Sequence, residues 1–206
     1  MKKVNEIIRL LKRYYPDAHC ALNFENSQEL LIATILSAQC TDERVNQVTE
    51  VLFKEFPNIE DYAERPVEEI EAVIRPTGFF KNKAKNIQSM ARTLIEKHDG
   101  EVPQDLDDLV ELAGVGRKTA NVVMGNAFNV ATGVVVDTHV KRLSTRLGLT
   151  KQKTPEKIEL DLQKKVQKKD WIMFSHWLIW HGRKVCKARK PQCDTCFLDE
   201  ICPKKI

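Results

Sequence analysis

The chain has 206 residues, 42% of them hydrophobic and 30% charged, with 33 Lys and Arg against 29 Asp and Glu. That length can bury one large core or two compact ones, and eight Gly and eight Pro are too few for a collagen-like or low-complexity chain. So much apolar content also excludes intrinsic disorder. The most apolar stretch, 171–180, falls far short of the ~20 residues of a membrane-spanning helix and contains Ser175 and His176. The N-terminus runs straight into an amphipathic pattern with Asn5, Glu6 and Arg9, with no signal core and no transit character, which points to the cytosol.

The pattern then reads as helix after helix. Val4, Ile7, Ile8 and Leu11 recur at helical spacing and predict a helix over 4–15, ended by Pro16. Ser27 is the expected cap of an apolar run from 30 to 39, and residues 42–55 form the next helix, closed by Pro57. Pro66 suits a first helical position for 67–74, with Pro76 and Gly78 ending that helix; 83–97 follows, stopped by Gly100. Leu106, Leu109, Val110 and Leu112 mark a short helix, a Gly-Val-Gly turn, and another helix over 117–128. Helices are expected at 138–147 after Asp137, from 155 to 167, and over 171–181 with Gly182 as its stop. Only 134–136 resembles a strand, and it has no partner. The fold class is all-α.

Charge and cysteine are unevenly spread. Residues 42–71 hold ten acidic and three basic side chains, whereas 75–97 hold six basic and one acidic, and 181–206 seven basic and three acidic. Such segregation suits a polyanion binder, although ordinary solvated helix faces produce it too. Cys186, Cys193, Cys196 and Cys202 lie in a C-x6-C-x2-C-x5-C array, while Cys20 and Cys40 stand alone and read as small buried hydrophobes. In a reducing compartment the array is a metal site. Spacing alone admits either tetrahedral zinc or an iron–sulfur cluster.

Three constellations carry chemistry. In Leu112-Ala113-Gly114-Val115-Gly116-Arg117-Lys118-Thr119-Ala120, glycines allow a tight turn whose amides, at a helix N-terminus, can hold a DNA phosphate without reading sequence. The same Gly-x-Gly could simply be a turn between packed helices. Lys118 is either a further phosphate contact or a nucleophilic amine able to form a Schiff base, a reaction that burial would favour. Asp137 is positioned to cap the following helix and to stabilise developing positive charge. Finally, Lys187, Arg189 and Lys190 lie inside the first loop of the cysteine array, where a metal would fix them against a phosphate backbone or merely staple a short tail.

These three in this order resemble the endonuclease III family of the helix-hairpin-helix DNA glycosylase superfamily, over essentially the whole chain. Further matching segments are Leu36-Ser37-Ala38-Gln39, Val136-Asp137-Thr138-His139, Trp177-Leu178-Ile179 and His181-Gly182-Arg183. The resemblance implies two all-α lobes with a DNA cleft between them. One is a six-helix barrel over 21–133 containing the helix-hairpin-helix at 106–125. The other, 1–20 with 134–206, is an iron–sulfur domain whose cluster loop is 186–202. It implies a [4Fe–4S] cluster on the four cysteines, no organic cofactor, and a monomeric, bacterial-type enzyme associated with the nucleoid through DNA. The implied activity is excision of oxidised pyrimidines from duplex DNA by a bifunctional glycosylase and abasic-site lyase, with Lys118 and Asp137 catalytic. DNA contacts are implied for Gly114, Val115, Gly116, Arg117, Thr119 and His139, and for Lys187, Arg189 and Lys190. Gln39 resembles the residue that fills the gap left by a flipped nucleotide, and Phe79 a wedge into the opposite strand. The segment 129–136 lacks the proline often found there in the family.

Two rival readings are a monofunctional adenine- or thymine-mismatch glycosylase and a non-catalytic DNA-binding module. The lysine at 118 disfavours the first; retention of Lys118 with Asp137 disfavours the second.

Overall fold

The computed structural model describes residues 2–204, and among them the regular structure is entirely helical, with eleven α-helices and short 3-10 turns. The strand-like segment 134–136 forms no strand. The chain divides into two compact units, Cys20–Val130 and Met1–His19 with Ala131–Ile206.

The first unit is built around α2 (Ser27–Leu36), in which every residue from Leu30 to Leu36 is buried, as befits a helix enclosed by others. Asn26 rather than Ser27 caps it, accepting from the Glu29 N–H at 2.9 Å. The helix ends at Leu36, three residues earlier than expected, because Gln39 takes a left-handed conformation, φ 54°. Next comes α3 (Asp42–Glu55), capped by Thr41. Then α4 (Ile59–Glu64), a helix the sequence pattern did not predict, starts at a reciprocal Asn58–Asp61 capping box and buries Tyr62 against Phe56. Pro66 sits at the cap of α5 (Val67–Ile74) rather than inside it. A 3-10 turn, Arg75–Thr77, leads to α6 (Phe80–His98), one turn longer at its start than expected. The hairpin pair α7 (Leu106–Glu111) and α8 (Arg117–Ala127) completes the unit, α8 packing on α2. Each fully buried Leu or Ile here contributes about 1.5–3 kcal/mol. Cys20 and Cys40 are half-buried against this core.

The second unit has its own core. The Val4, Ile7 and Leu11 face of α1 (Lys2–Tyr14) packs on α11 (Trp171–Lys184), and α11 packs on α9 (Thr138–Arg146). The short α10 (Pro155–Gln163) adds Ile158 and Leu162. Gly182 does not stop α11; the helix runs through it to Lys184. Glycine is needed there for packing, since a Cβ would lie 2.8 Å from the His139 Nδ1 and 3.0 Å from the Arg142 guanidinium.

Candidate functional site

The hairpin turn is shaped by its two glycines in different ways. Gly114 has φ +79°, and a Cβ there would meet Asn86 at 3.0 Å. Gly116 has φ −90° and nothing within 4 Å of where a Cβ would be, so neither backbone nor packing within the chain requires glycine. Val115 between them is buried, its N–H donating to the Leu112 carbonyl at 3.1 Å. α8 begins at Arg117 with no side chain capping it, in contrast to α7, whose first amides are held by Asp105. An uncapped helix start presents N–H groups and the positive end of the helix dipole, the elements of a phosphate site. Arg117 and Lys118 are exposed beside it, and Thr119 is half-buried. The burial expected to favour a reactive amine at Lys118 is therefore absent; among the described residues its side chain forms no hydrogen bond or ion pair.

Asp137 performs the capping role, its Oδ1 accepting from the Val140 N–H at 2.7 Å at the start of α9. One carboxylate oxygen is thereby fixed and the side chain remains half-exposed. Lys118 and Asp137 belong to different units. His139 Nδ1 lies 3.1 Å from the Arg142 guanidinium, and burial lowers the pKa of the imidazole.

Gln39 and Phe79 are both exposed and both left-handed. Phe79 has φ 49° and is 63% exposed, directly after Gly78 at φ +70°. Non-glycine residues rarely adopt such angles, and the strain concentrates at functional loops. Lys190 shares this geometry, φ 53°, in the cysteine loop, where Lys187 and Arg189 are also exposed.

The four cysteines line one cavity, whose walls include Leu143, Leu147, His181 and Leu198. Among the described residues, no three His, Cys, Asp or Glu side chains converge as ligands of a single ion; the thiols ring the cavity instead. N–H donors are aimed at three of the sulfurs. Leu198 N–H lies 3.4 Å from Cys196 Sγ, Lys204 N–H 3.4 Å from Cys202 Sγ, and the Arg146 guanidinium 3.4 Å from Cys186 Sγ. His181 Nε2 lies 3.5 Å from Cys196 Sγ, with the Tyr15 hydroxyl 2.9 Å from its Nδ1. Burial and the neighbouring thiols hold the Cys196 thiol above its usual range when no metal is bound, so a cation is needed to keep it as thiolate.

Residues 32–168 match the HhH-GPD superfamily of base excision DNA repair proteins, and residues 186–202 match the iron–sulfur binding domain of endonuclease III. The chain is 54% identical over 202 residues to the endonuclease III of Synechocystis sp., covering 98% of this chain and 92% of that protein. It is 45% identical over 203 residues to that of Bacillus subtilis, with the same two coverages, 98% and 92%. The chain belongs to the endonuclease III family. Two solved structures, a non-covalent endonuclease III–DNA complex and a trapped endonuclease III–DNA covalent intermediate, superpose with TM-score 0.94 at 45% identity, covering 98% of this chain and 95% of each.

Membership decides the metal that spacing left open: the protein carries a [4Fe–4S] cluster. The site fits it, with four thiols around one largely apolar cavity and hydrogen-bond donors directed at the sulfurs. Sequence reasoning missed the supporting shell. Arg146 donates to the Lys187 and Ala188 carbonyls at 2.8 and 3.0 Å, and Arg142 to the Gly182 and Cys186 carbonyls at 3.0 and 3.1 Å, together fixing the start of the cluster loop. Their four-residue spacing along α9 was the available signal.

Proposed function

We propose that Lys118 and Asp137 are the catalytic pair of this enzyme. The enzyme acts in base excision repair as a DNA glycosylase and abasic-site lyase on damaged pyrimidines in duplex DNA. The observation that carries the assignment is the exposed Lys118 amine at the second residue of α8, beside the uncapped, open Gly116 turn. A strand whose phosphate sits on that turn brings its sugars to the lysine.

In this reading the turn from Gly114 to Arg117, with Thr119, anchors one phosphate. Gln39 and Phe79 enter the duplex as the damaged nucleotide swings out, an event costing a few kcal/mol of stacking and pairing. The Lys118 amine attacks the deoxyribose C1′, the N-glycosidic bond breaks, and the base departs with the bonding electrons and takes up a proton. Asp137, steadied by its bond to Val140, stabilises positive charge building at C1′. Opening of the sugar gives a protonated Schiff base. Loss of a C2′ proton then forms the C2′–C3′ double bond and expels the 3′ phosphate. When bound, the cluster supplies a four-thiolate cross-link that fixes its loop, and Lys187, Arg189, Lys190 and His139 lie along the DNA backbone. A trapped covalent intermediate in a 45% identical relative supports the covalent route.

The unit Cys20–Val130, with its hairpin, is in this reading the barrel domain, and the unit holding both termini the iron–sulfur domain. The relatives are bacterial, and duplex DNA as substrate puts the enzyme, in this reading, in the cytoplasm on the nucleoid; among the described residues no helix is long and apolar enough to cross a membrane.

Borohydride reduction on a duplex carrying one oxidised pyrimidine tests the assignment. A covalent adduct is expected with the damaged strand only, and Lys118→Gln should abolish adduct and strand cleavage while leaving DNA affinity within a few-fold. An adduct of undiminished yield from Lys118→Gln overturns it.

A further inference from the structure

Lys83 is one of the few charged side chains buried in the first unit. It is 5% exposed near the start of α6, and burial lowers its pKa. Its ammonium donates to the Leu36 carbonyl at 2.8 Å and to the Thr77 carbonyl at 2.9 Å. Leu36 is the last residue of α2, so this carbonyl has no acceptor role left inside the helix and lies at the negative end of its dipole. Thr77 is the last residue of the 3-10 turn before Gly78. Two chain segments far apart in sequence are thus tied to one cation.

Each tied carbonyl lies just ahead of a left-handed residue. Three residues after Leu36 comes Gln39, and two residues after Thr77 comes Phe79, both exposed and both at positive φ, 54° and 49°. The backbone N–H of Lys83 also donates to the Phe79 carbonyl, at 3.1 Å. One residue therefore sets the spacing between the Gln39 loop and the Phe79 loop and anchors the strained start of α6. Desolvating an ammonium is costly, and an apolar side chain of the same length would pack here without that cost. What the apolar side chain cannot do is hold two carbonyls from different segments with charge-assisted bonds.

We propose that Lys83 is the positioning residue for base eversion, clamping the two loops at the separation at which Gln39 and Phe79 enter the duplex together. The inference rests on the reading of Gln39 and Phe79 as inserting residues. Lys83 touches neither DNA nor the reacting atoms in this assignment; it acts through those two side chains.

Single-turnover release of thymine glycol from a duplex tests it in the cluster-loaded enzyme. A 2-aminopurine opposite and adjacent to the lesion reports unstacking by its fluorescence. Lys83→Met keeps the length and removes the ammonium. Base release is expected to slow roughly 10- to 100-fold, the scale of small misplacements, and the fluorescence rise on binding to shrink. The decisive comparison repeats Lys83→Met in a Gln39→Ala/Phe79→Ala background, where its effect should fall to less than about twofold, because the side chains it positions are gone. An equal loss in both backgrounds overturns the clamp and leaves the insertion reading standing. If Gln39→Ala/Phe79→Ala alone changes neither base release nor fluorescence, the insertion reading fails and the clamp with it. Should Lys83→Met not fold, the cycle is run with Lys83→Gln, whose shorter amide spans only one of the two carbonyls, and the same outcomes decide.

Discussion

His176 and His181 are two of the chain's five histidines, and both are buried on α11. Burial pushes the pKa of each from 6.5 down to about 4, with the nearby His19 adding to the effect at His176. In the folded protein both stay neutral at pH 5, whereas in the unfolded chain both take up a proton below about 6.5. The unfolded state therefore binds more protons throughout that window, and stability falls as pH falls from about 6.5 toward 4. His176, away from the cysteines, accounts for on the order of 1–2 kcal/mol between pH 7.5 and 5. Urea unfolding at those two pH values should show the loss, and His176→Gln, which does not titrate, should flatten the slope. A variant as pH-sensitive as the parent would remove His176 from the account. The neutral state also has a structural use at His181. A neutral imidazole accepting the Tyr15 O–H at Nδ1 keeps its own N–H on Nε2, facing the Cys196 sulfur.

At the scale of elements, the hairpin separates two uses of glycine. Gly114→Ala meets Asn86 and an unfavourable φ, so it should lower thermal stability, by about 1 kcal/mol or more. Gly116→Ala meets neither obstacle, so its melting temperature should stay within a degree or two of the parent. The open space above it is where a phosphate would lie, and there the methyl group should weaken binding to duplex DNA several-fold. Parallel melting curves and binding isotherms check the pair; equal DNA affinity in Gly116→Ala would dissociate the turn from the phosphate. The same hairpin was readable in the sequence because its glycines and its apolar spacing are local signals, as is the Asp137 cap of α9. The bounds of α3 were legible for the same reason. α4 escaped because six residues carry too little periodicity, and only the Asn58–Asp61 pair marked it. Gly182 misled because a glycine can mark a helix end or a close approach, and only the facing His139 and Arg142 distinguish them. Lys83 was invisible for a related reason. Its partners are main-chain carbonyls, which no pattern of side chains records.

Over the whole molecule, charge follows the elements. The acidic run 42–71 lies on α3, α4 and α5, the basic run 75–97 mostly on α6, and the second basic run in the cysteine tail. Within the first unit, some of the acidic run is already spent on local pairs, as Lys54–Glu50 and Arg65–Glu69 show. Lys187, Arg189 and Lys190, by contrast, stand exposed on a loop whose backbone Arg142 and Arg146 hold independently of them. Their removal should leave the loop folded and subtract only charge. Every phosphate that goes unneutralised lowers the salt dependence of DNA binding by roughly 0.9 in the slope of log K against log salt. The triple variant Lys187→Gln/Arg189→Gln/Lys190→Gln should therefore bind more weakly at low salt and converge on the parent as salt rises, whatever base the duplex carries. Lys54→Gln, which removes a cation already paired with Glu50 in the acidic run, should leave the slope unchanged. A parental slope in the triple variant would mean that these three cations solvate the loop and touch no phosphate, and the electrostatic footprint would then rest on α6 and the hairpin.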